Sequence, residues 1–246
     1  LIIEDNDRPS PLAQNAKGCA LLTYLIATGR PQSREAVADM LWEATSTSQS
    51  LRNLRVLLAR IRPYLPGLEI TRKTVRCQLQ PDEVVDYVTL SASLARGGSR
   101  TLADLRLYQG ELLEGFYLEG APRFMEWLTL ERERVRRAVL DALRGLCQTL
   151  ASEKLWQEGA EAAAHWLFID NLDEEALRWR MQFLAANGQA TSALQAYEAY
   201  RQILRDELGA EPEAATQALV QELAKWSGSI TAVSLPDLSP LEALTS

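Results

Sequence analysis

Apolar residues recur every three or four positions through most of the chain, and this spacing predicts helices; where it lapses into alternation it predicts strands. The first helical stretch, KGCALLTYLIAT (17–28), runs into Gly29, a residue suited to the left-handed conformation that ends helices. SREAVADMLW (33–42) opens on Ser33 as an N-cap and carries Glu35 in its first turn, where the helix dipole favours an anion. A polar EATSTS stretch leads to SQSLRNLRVLLARIRPYL (48–65). On a wheel turning ~100° per residue, Leu51, Leu54, Leu58, Ile61 and Leu65 share one narrow arc that must pack inward. Arg52, Val56 and Ala59 lie opposite, flanked by Asn53, Arg55, Arg60 and Arg62. After it, LEITRKTVRCQL (68–79) alternates around a charged tip and predicts a hairpin. That tip, Arg72-Lys73, lacks the Gly or Asn of two-residue turns, so a longer turn is expected. At the start of the chain LII (1–3) reads as a strand and EDNDRPS as a turn.

QPDE (80–83) breaks the pattern and ARGGSR (95–100) marks a loop. From about 101 onward the pattern is nearly all helical. A long run over roughly 123–151 carries Phe124, Trp127, Leu128, Val135, Val139, Leu143, Leu146 and Leu150 at three- and four-residue steps. Further helices are expected near 154–169, 173–187, 191–208 and 212–226, with Asp173 as an N-cap, Gly188 and Gly209 as stops, and Pro212 at a first helical position. Two of these align at an offset of 34, matching Ala162 with Ala196, Trp166 with Tyr200 and Ile169 with Ile203. Thirty-four is the tetratricopeptide period, in which stacked helix pairs bury apolar faces that one pair cannot bury alone. Trp127, Trp156, Trp166 and Trp179 are assigned to the core of such repeats. Residues 227–246, rich in Ser, Thr and Pro, read as a linker or tail that could lead into a further domain.

Charge changes the picture. The chain has a net charge of −7, yet residues 1–80 hold 11 Lys and Arg against 7 Asp and Glu, and residues 81–246 hold 15 against 26. Between 48 and 65 there are four arginines and no acid, and within 48–76 seven cations stand against Glu69. A solubilising face mixes signs; a face of one sign suits an anion, and a slim helix ridge suits the major groove of DNA. Arg52, Asn53, Arg55, Val56, Arg60 and Arg62, with Arg72 and Lys73 at the hairpin tip, are therefore the candidate DNA-binding residues. Val or Ala on such a ridge can meet a thymine methyl.

Candidate chemistry of other kinds is sparse. His165 is the one histidine and sits in an apolar helical context, AAAHWLF, which favours packing. No metal-ligand spacing and no phosphate-cradling glycine motif occurs, so no cofactor, metal or catalytic residue is assigned. Carboxylates such as Glu131 and Glu133 alternate with arginines in LERERVRR, as on a salt-bridged helix face. The three cysteines, Cys19, Cys77 and Cys147, suit free thiols in a reducing cytoplasm. No apolar run is long enough to span a membrane.

The helix–turn–basic helix–hairpin order makes a winged helix-turn-helix, and GRPQSREAVADMLWEATSTSQSLRNLRVLLARIRPYL resembles the winged-helix domain of SARP-type bacterial transcriptional activators. LYQGELLEGFY (107–117), EWLTLERERVRR (126–137) and the 172–216 stretch containing DELGAEPE resemble the bacterial transcriptional activator domain that comes after it in that family. The resemblance covers about residues 1–226. It implies a mainly α fold: a winged helix-turn-helix over 1–80 and a tetratricopeptide-like helical domain over 81–226. It further implies a DNA-binding activator whose partners are double-stranded DNA, RNA polymerase and neighbouring protomers on repeated sites. By the resemblance Arg52, Arg60 and Arg62 occupy contacting or basic positions of the recognition helix, and Arg72 is the wing arginine. The chain departs from the family pattern at Leu57 and Ala59, where polar or basic readers are common, at Pro63, where the helix usually continues, and in lacking the wing glycine. A protein-interaction scaffold or signalling module that has lost DNA binding remains the alternative.

Overall fold

The computed structural model describes residues 15–81, 83–96 and 100–227, with the backbone of two short N-terminal strands, β1 (Glu4–Asp5) and β2 (Arg8–Pro9). These strands pair antiparallel within the stretch expected to be a turn. The strand expected at 1–3, the centre of the 95–100 loop and the tail after residue 227 lie outside the described residues. Two compact units are present, Leu1–Val139 and Leu140–Ser246.

In the first unit, α1 (Ala16–Thr28), α2 (Arg34–Leu41) and α3 (Thr47–Ile61) pack together beside a small sheet of β3 (Gln32–Ser33), β4 (Leu68–Ile70) and β5 (Thr74–Cys77). Strand order is β3-β5-β4, antiparallel throughout, with Gln32 opposite Val75 and Leu68 opposite Cys77. The caps are those the sequence carries. Asn15 accepts from the Gly18 amide at the start of α1, and Gly29 ends the helix with φ 63°. Ser33 accepts from the Ala36 amide at the start of α2. Leu21, Leu25, Leu41, Leu54 and Val75, each fully buried, form the middle of the core. That core also includes Leu118, Ala121, Phe124 and Leu128, from beyond residue 80. Trp127, expected in the repeat core, instead meets Tyr24 of α1 edge to face, with ring centroids 4.9 Å apart.

Two departures lie between residues 81 and 121. A helix, α4 (Asp86–Ala95), occupies a stretch in which none was expected. The stretch expected to be helical from 101 holds a single turn of helix, α5 (Leu102–Leu105), and then runs through turns to Ala121. The long amphipathic run is α6 (Pro122–Ser152), burying Phe124, Leu128, Val135, Val139, Leu143 and Leu150.

The second unit stacks α7 (Trp156–Ile169), α8 (Glu174–Ala186), α9 (Ala190–Leu208) and α10 (Ala214–Ser227), each on the next. The connections are short, which makes successive helices antiparallel neighbours. The 34-residue match has a physical basis here. Trp166 and Tyr200 are both buried, and both fasten the α7–α8 corner: Trp166 Nε1 donates to Asp173 at 3.0 Å, and the Tyr200 hydroxyl donates to the Leu172 carbonyl at 2.8 Å. Gly159 lets α7 approach α8 closely, since a Cβ there would lie 2.3 Å from the Phe183 ring. α10 begins at Ala214 rather than at Pro212, and the Glu213 amide just ahead of it donates to Glu174 at 2.9 Å. His165 is half-buried with its ring stacked on Phe168, and Trp156 and Trp179 are half-buried against Phe183.

Candidate nucleic-acid interface

α3 presents two faces. Leu54, Leu58 and Ile61 are buried as the wheel requires, and Leu51 and Leu65 are half-buried. Leu57 is also buried, at 5% exposure, so this departure from the family pattern is a core side chain and not a reader of bases. Ser50 is fully buried too, and its hydroxyl spans from the Thr47 carbonyl (3.0 Å) to Asp39 of α2 (3.3 Å). This bridge fixes α3 against α2, and the hydrophobic pattern gave no sign of it.

The other face is open. Arg52, Arg55, Val56, Ala59 and Arg60 are exposed, Val56 by 64%. Asn53 is half-buried and accepts a hydrogen bond from Gln49 at 2.9 Å, which leaves its amide nitrogen for other acceptors. α3 stops before Pro63, whose ring removes the backbone donor a further α turn needs, and the chain tightens into a 3-10 helix over Arg62–Tyr64. Arg62 is exposed there.

The hairpin tip solves its missing glycine with threonines. Ile70 pairs with Val75, and Thr71 to Lys73 connect β4 to β5. The Thr71 hydroxyl accepts from the Thr74 amide at 2.9 Å, and the Thr71 amide donates to the Thr74 carbonyl at 2.9 Å. A hydroxyl thus replaces the local backbone bond that a glycine turn would make. Arg34 at the start of α2 holds the same tip from below: its amide donates to the Lys73 carbonyl at 2.9 Å and its guanidinium to the Thr71 carbonyl at 3.2 Å. Arg72 and Lys73 are left exposed.

Among the described residues, no ion pair or hydrogen bond engages the side chains of Arg52, Arg55, Arg60, Arg62, Arg72 or Lys73. Some other basic groups of this unit have internal tasks. Lys17 donates to the Leu41 carbonyl at 2.8 Å and lies 4.6 Å over the Trp42 ring, and burial lowers its pKa. Arg76 is half-buried opposite Glu69 in the hairpin. Arg34 and the threonines at the tip are positioning residues that charge counting did not single out, although the TRKT spacing carried the signal for the turn.

Three helices, the third of them basic on its open face, and a three-stranded sheet make a winged-helix fold, followed along the chain by a stack of repeat-like helices. The model of the bacterial transcriptional activator domain matches residues 91–224, more than half of the chain, and the chain belongs to that family. With a winged helix ahead of that domain, the chain has the domain order of SARP-type regulators. The structure of Mycobacterium tuberculosis EmbR in complex with a low-affinity phosphopeptide is similar in fold, with a TM-score of 0.51 and 18% identity. The likeness covers 89% of this chain and 61% of that one. No curated protein matches the chain. Among the described residues, no helix is long and apolar enough to cross a membrane.

Proposed function

We propose that this regulator binds double-stranded DNA with α3 in the major groove and the β4–β5 tip on an adjacent phosphate row. The supporting observation is the set of six exposed cations that have no carboxylate partner among the described residues. Phosphate contacts by arginine supply affinity and register, and side chains on the ridge of α3 supply base readout. Arg52, Arg55, Arg60, Arg62, Arg72 and Lys73 are assigned to phosphates or guanine edges, and Asn53 and Val56 to base edges. In this reading residues 1–80 touch DNA in the cytoplasm. Residues 81–226 are too acidic to lie on DNA and instead join neighbouring protomers or RNA polymerase, which makes the protein an activator.

Salt dependence tests the reading directly. With four or five of the cations on phosphates, log affinity should fall against log salt with a slope near about −4, at roughly −0.9 per phosphate. Anisotropy titrations on DNA selected from genomic fragments measure it. A salt-independent affinity, or no binding at about 50 mM salt, leaves the scaffold alternative standing. Assembly has its own measurement. A second half-site should raise the apparent affinity of the full chain, because the second contact becomes effectively intramolecular.

A further inference from the structure

The open ridge of α3 carries one polar side chain that neither charge nor the apolar stripe singles out. Gln49 is exposed in the first turn of α3. On the helical wheel it falls between Val56 and Asn53, about 20° from the first and about 40° from the second. It therefore stands with Arg52, Asn53, Val56, Ala59 and Arg60 on the face turned away from the core. Gln49 and Asn53 are the two uncharged hydrogen-bonding side chains of that group.

Their amides are joined. Gln49 Nε2 donates to Asn53 Oδ1 at 2.9 Å, across one turn of the helix. The bond matters for recognition, because a free carboxamide can exchange its oxygen and nitrogen ends and so presents no fixed pattern. Held by Asn53, the Gln49 amide spends one hydrogen on its partner and leaves the other hydrogen and its oxygen open side by side. The helix beneath is fixed as well: Ser50, the next residue, is fully buried and bonded to Asp39 of α2 at 3.3 Å.

A donor beside an acceptor is the pattern that adenine complements in the major groove, where N7 accepts and N6–H donates. Guanine offers two acceptors there, cytosine a donor and thymine an acceptor, so each leaves one end of the amide unmatched. The N-terminal residues of a recognition helix are also the ones that meet base edges in helix-turn-helix proteins, while flanking arginines set the register on phosphates.

We propose that Gln49 is a specificity-determining residue that reads one adenine, its oxygen accepting from N6–H and its nitrogen donating to N7. Asn53 is the positioning residue that fixes the Gln49 amide, and its own nitrogen stays open to a neighbouring base. This assignment rests on the DNA-binding reading above.

Selection of duplexes from a randomised pool by the full chain, followed by anisotropy titration of the selected DNA, tests it. The wild-type chain should select adenine at one position of the half-site. Replacing that base with 7-deazaadenine, which pairs normally but lacks N7, should weaken binding about fivefold. Gln49→Ala should lower the discrimination between adenine and guanine at that position by about tenfold and make the chain indifferent to the 7-deaza base. Asn53→Ala should reduce the same preference several-fold, and the double variant should be no worse at that position than Gln49→Ala alone. Neither substitution removes a charge, so the salt slope should stay that of the wild-type chain. The proposal is overturned, and the DNA-binding reading left intact, if the chain binds with the expected salt slope but shows no adenine preference, ignores the 7-deaza base, or keeps its preference in Gln49→Ala. A preference that Asn53→Ala does not change overturns the positioning role. A chain that binds no DNA overturns both readings.

Discussion

Arg52, Arg55, Arg60 and Arg62 stand in a run that has no acid from residue 48 to 65, whereas most arginines from α6 to α9 sit against carboxylates. Arg134 meets Glu131 at 2.6 Å, Arg137 meets Glu133 at 2.8 Å, Arg178 meets Glu213 at 3.2 Å and Arg201 meets Glu211 at 3.3 Å. The side chain is the same, and its surroundings set its use. A paired guanidinium has its charge neutralised and its donors occupied, so it would have to exchange a protein carboxylate for a phosphate. An unpaired one has no such cost and releases condensed counterions on binding. The comparison also accounts for DELGAEPE: Glu211 serves both Arg201 and Arg205, and Glu213 serves Arg178, so this acidic stretch ties α8 and α9 to the turn before α10.

The largest effect that can test the comparison lies beneath the open face. Leu54 is fully buried on the inner side of α3, and Leu54→Ala should cost about 2–5 kcal/mol of stability. Chemical denaturation measures this. A loss below about 0.5 kcal/mol, the size of a typical surface change, would mean that the stripe is not the anchor of the helix.

On the outer side, Arg52→Ala and Arg60→Ala should leave the denaturation midpoint unchanged and weaken DNA binding. Loss of a base contact should cost about 1–3 kcal/mol for one DNA sequence, and loss of a phosphate contact should lower the salt slope by about 1 for all of them. A variant that unfolds instead would place these arginines in the architecture.

Thr216 offers the converse case. It is fully buried, donates to Glu174 and receives a hydrogen bond from Arg178 at 3.0 Å. Thr216→Val keeps the shape and removes both bonds, so it should destabilise by about 1–3 kcal/mol without touching DNA affinity. Unchanged stability would show that the paired arginines of this unit do little internal work.

Much of this division was legible in the sequence, because it rests on periodicity and on local sign. The inward stripe of α3, the Ser33 and Asp173 caps and the Gly29 and Gly209 stops each depend on residues close in the chain. What escaped depends on residues far apart. α4 has no side-chain N-cap at Val85, and Ser93 takes a buried place where an apolar residue would have marked the helix. Leu57 lies about 80° from the centre of the stripe, and its burial depends on how widely the neighbouring elements cover α3. Arg34 reaches the wing across 37 positions, and Phe124 reaches the winged-helix core from α6. No spacing rule reports such contacts.

The smallest expected effect is the sharpest test of pairing itself. Arg55 and Arg137 are both exposed arginines on helices, and Arg137 differs in having Glu133 one turn away, with 71% and 50% of the two side chains open to solvent. A pair so exposed is screened, and Arg137→Ala should cost less than about 0.5 kcal/mol of stability. It should also leave the salt slope of DNA binding where it was, while Arg55→Ala should reduce that slope by about 0.9. Both variants remove one positive charge, so net charge cannot explain a difference between them. If the two lowered the slope equally, DNA would be responding to the overall charge of the chain, and the absence of acids around α3 would carry no meaning for binding.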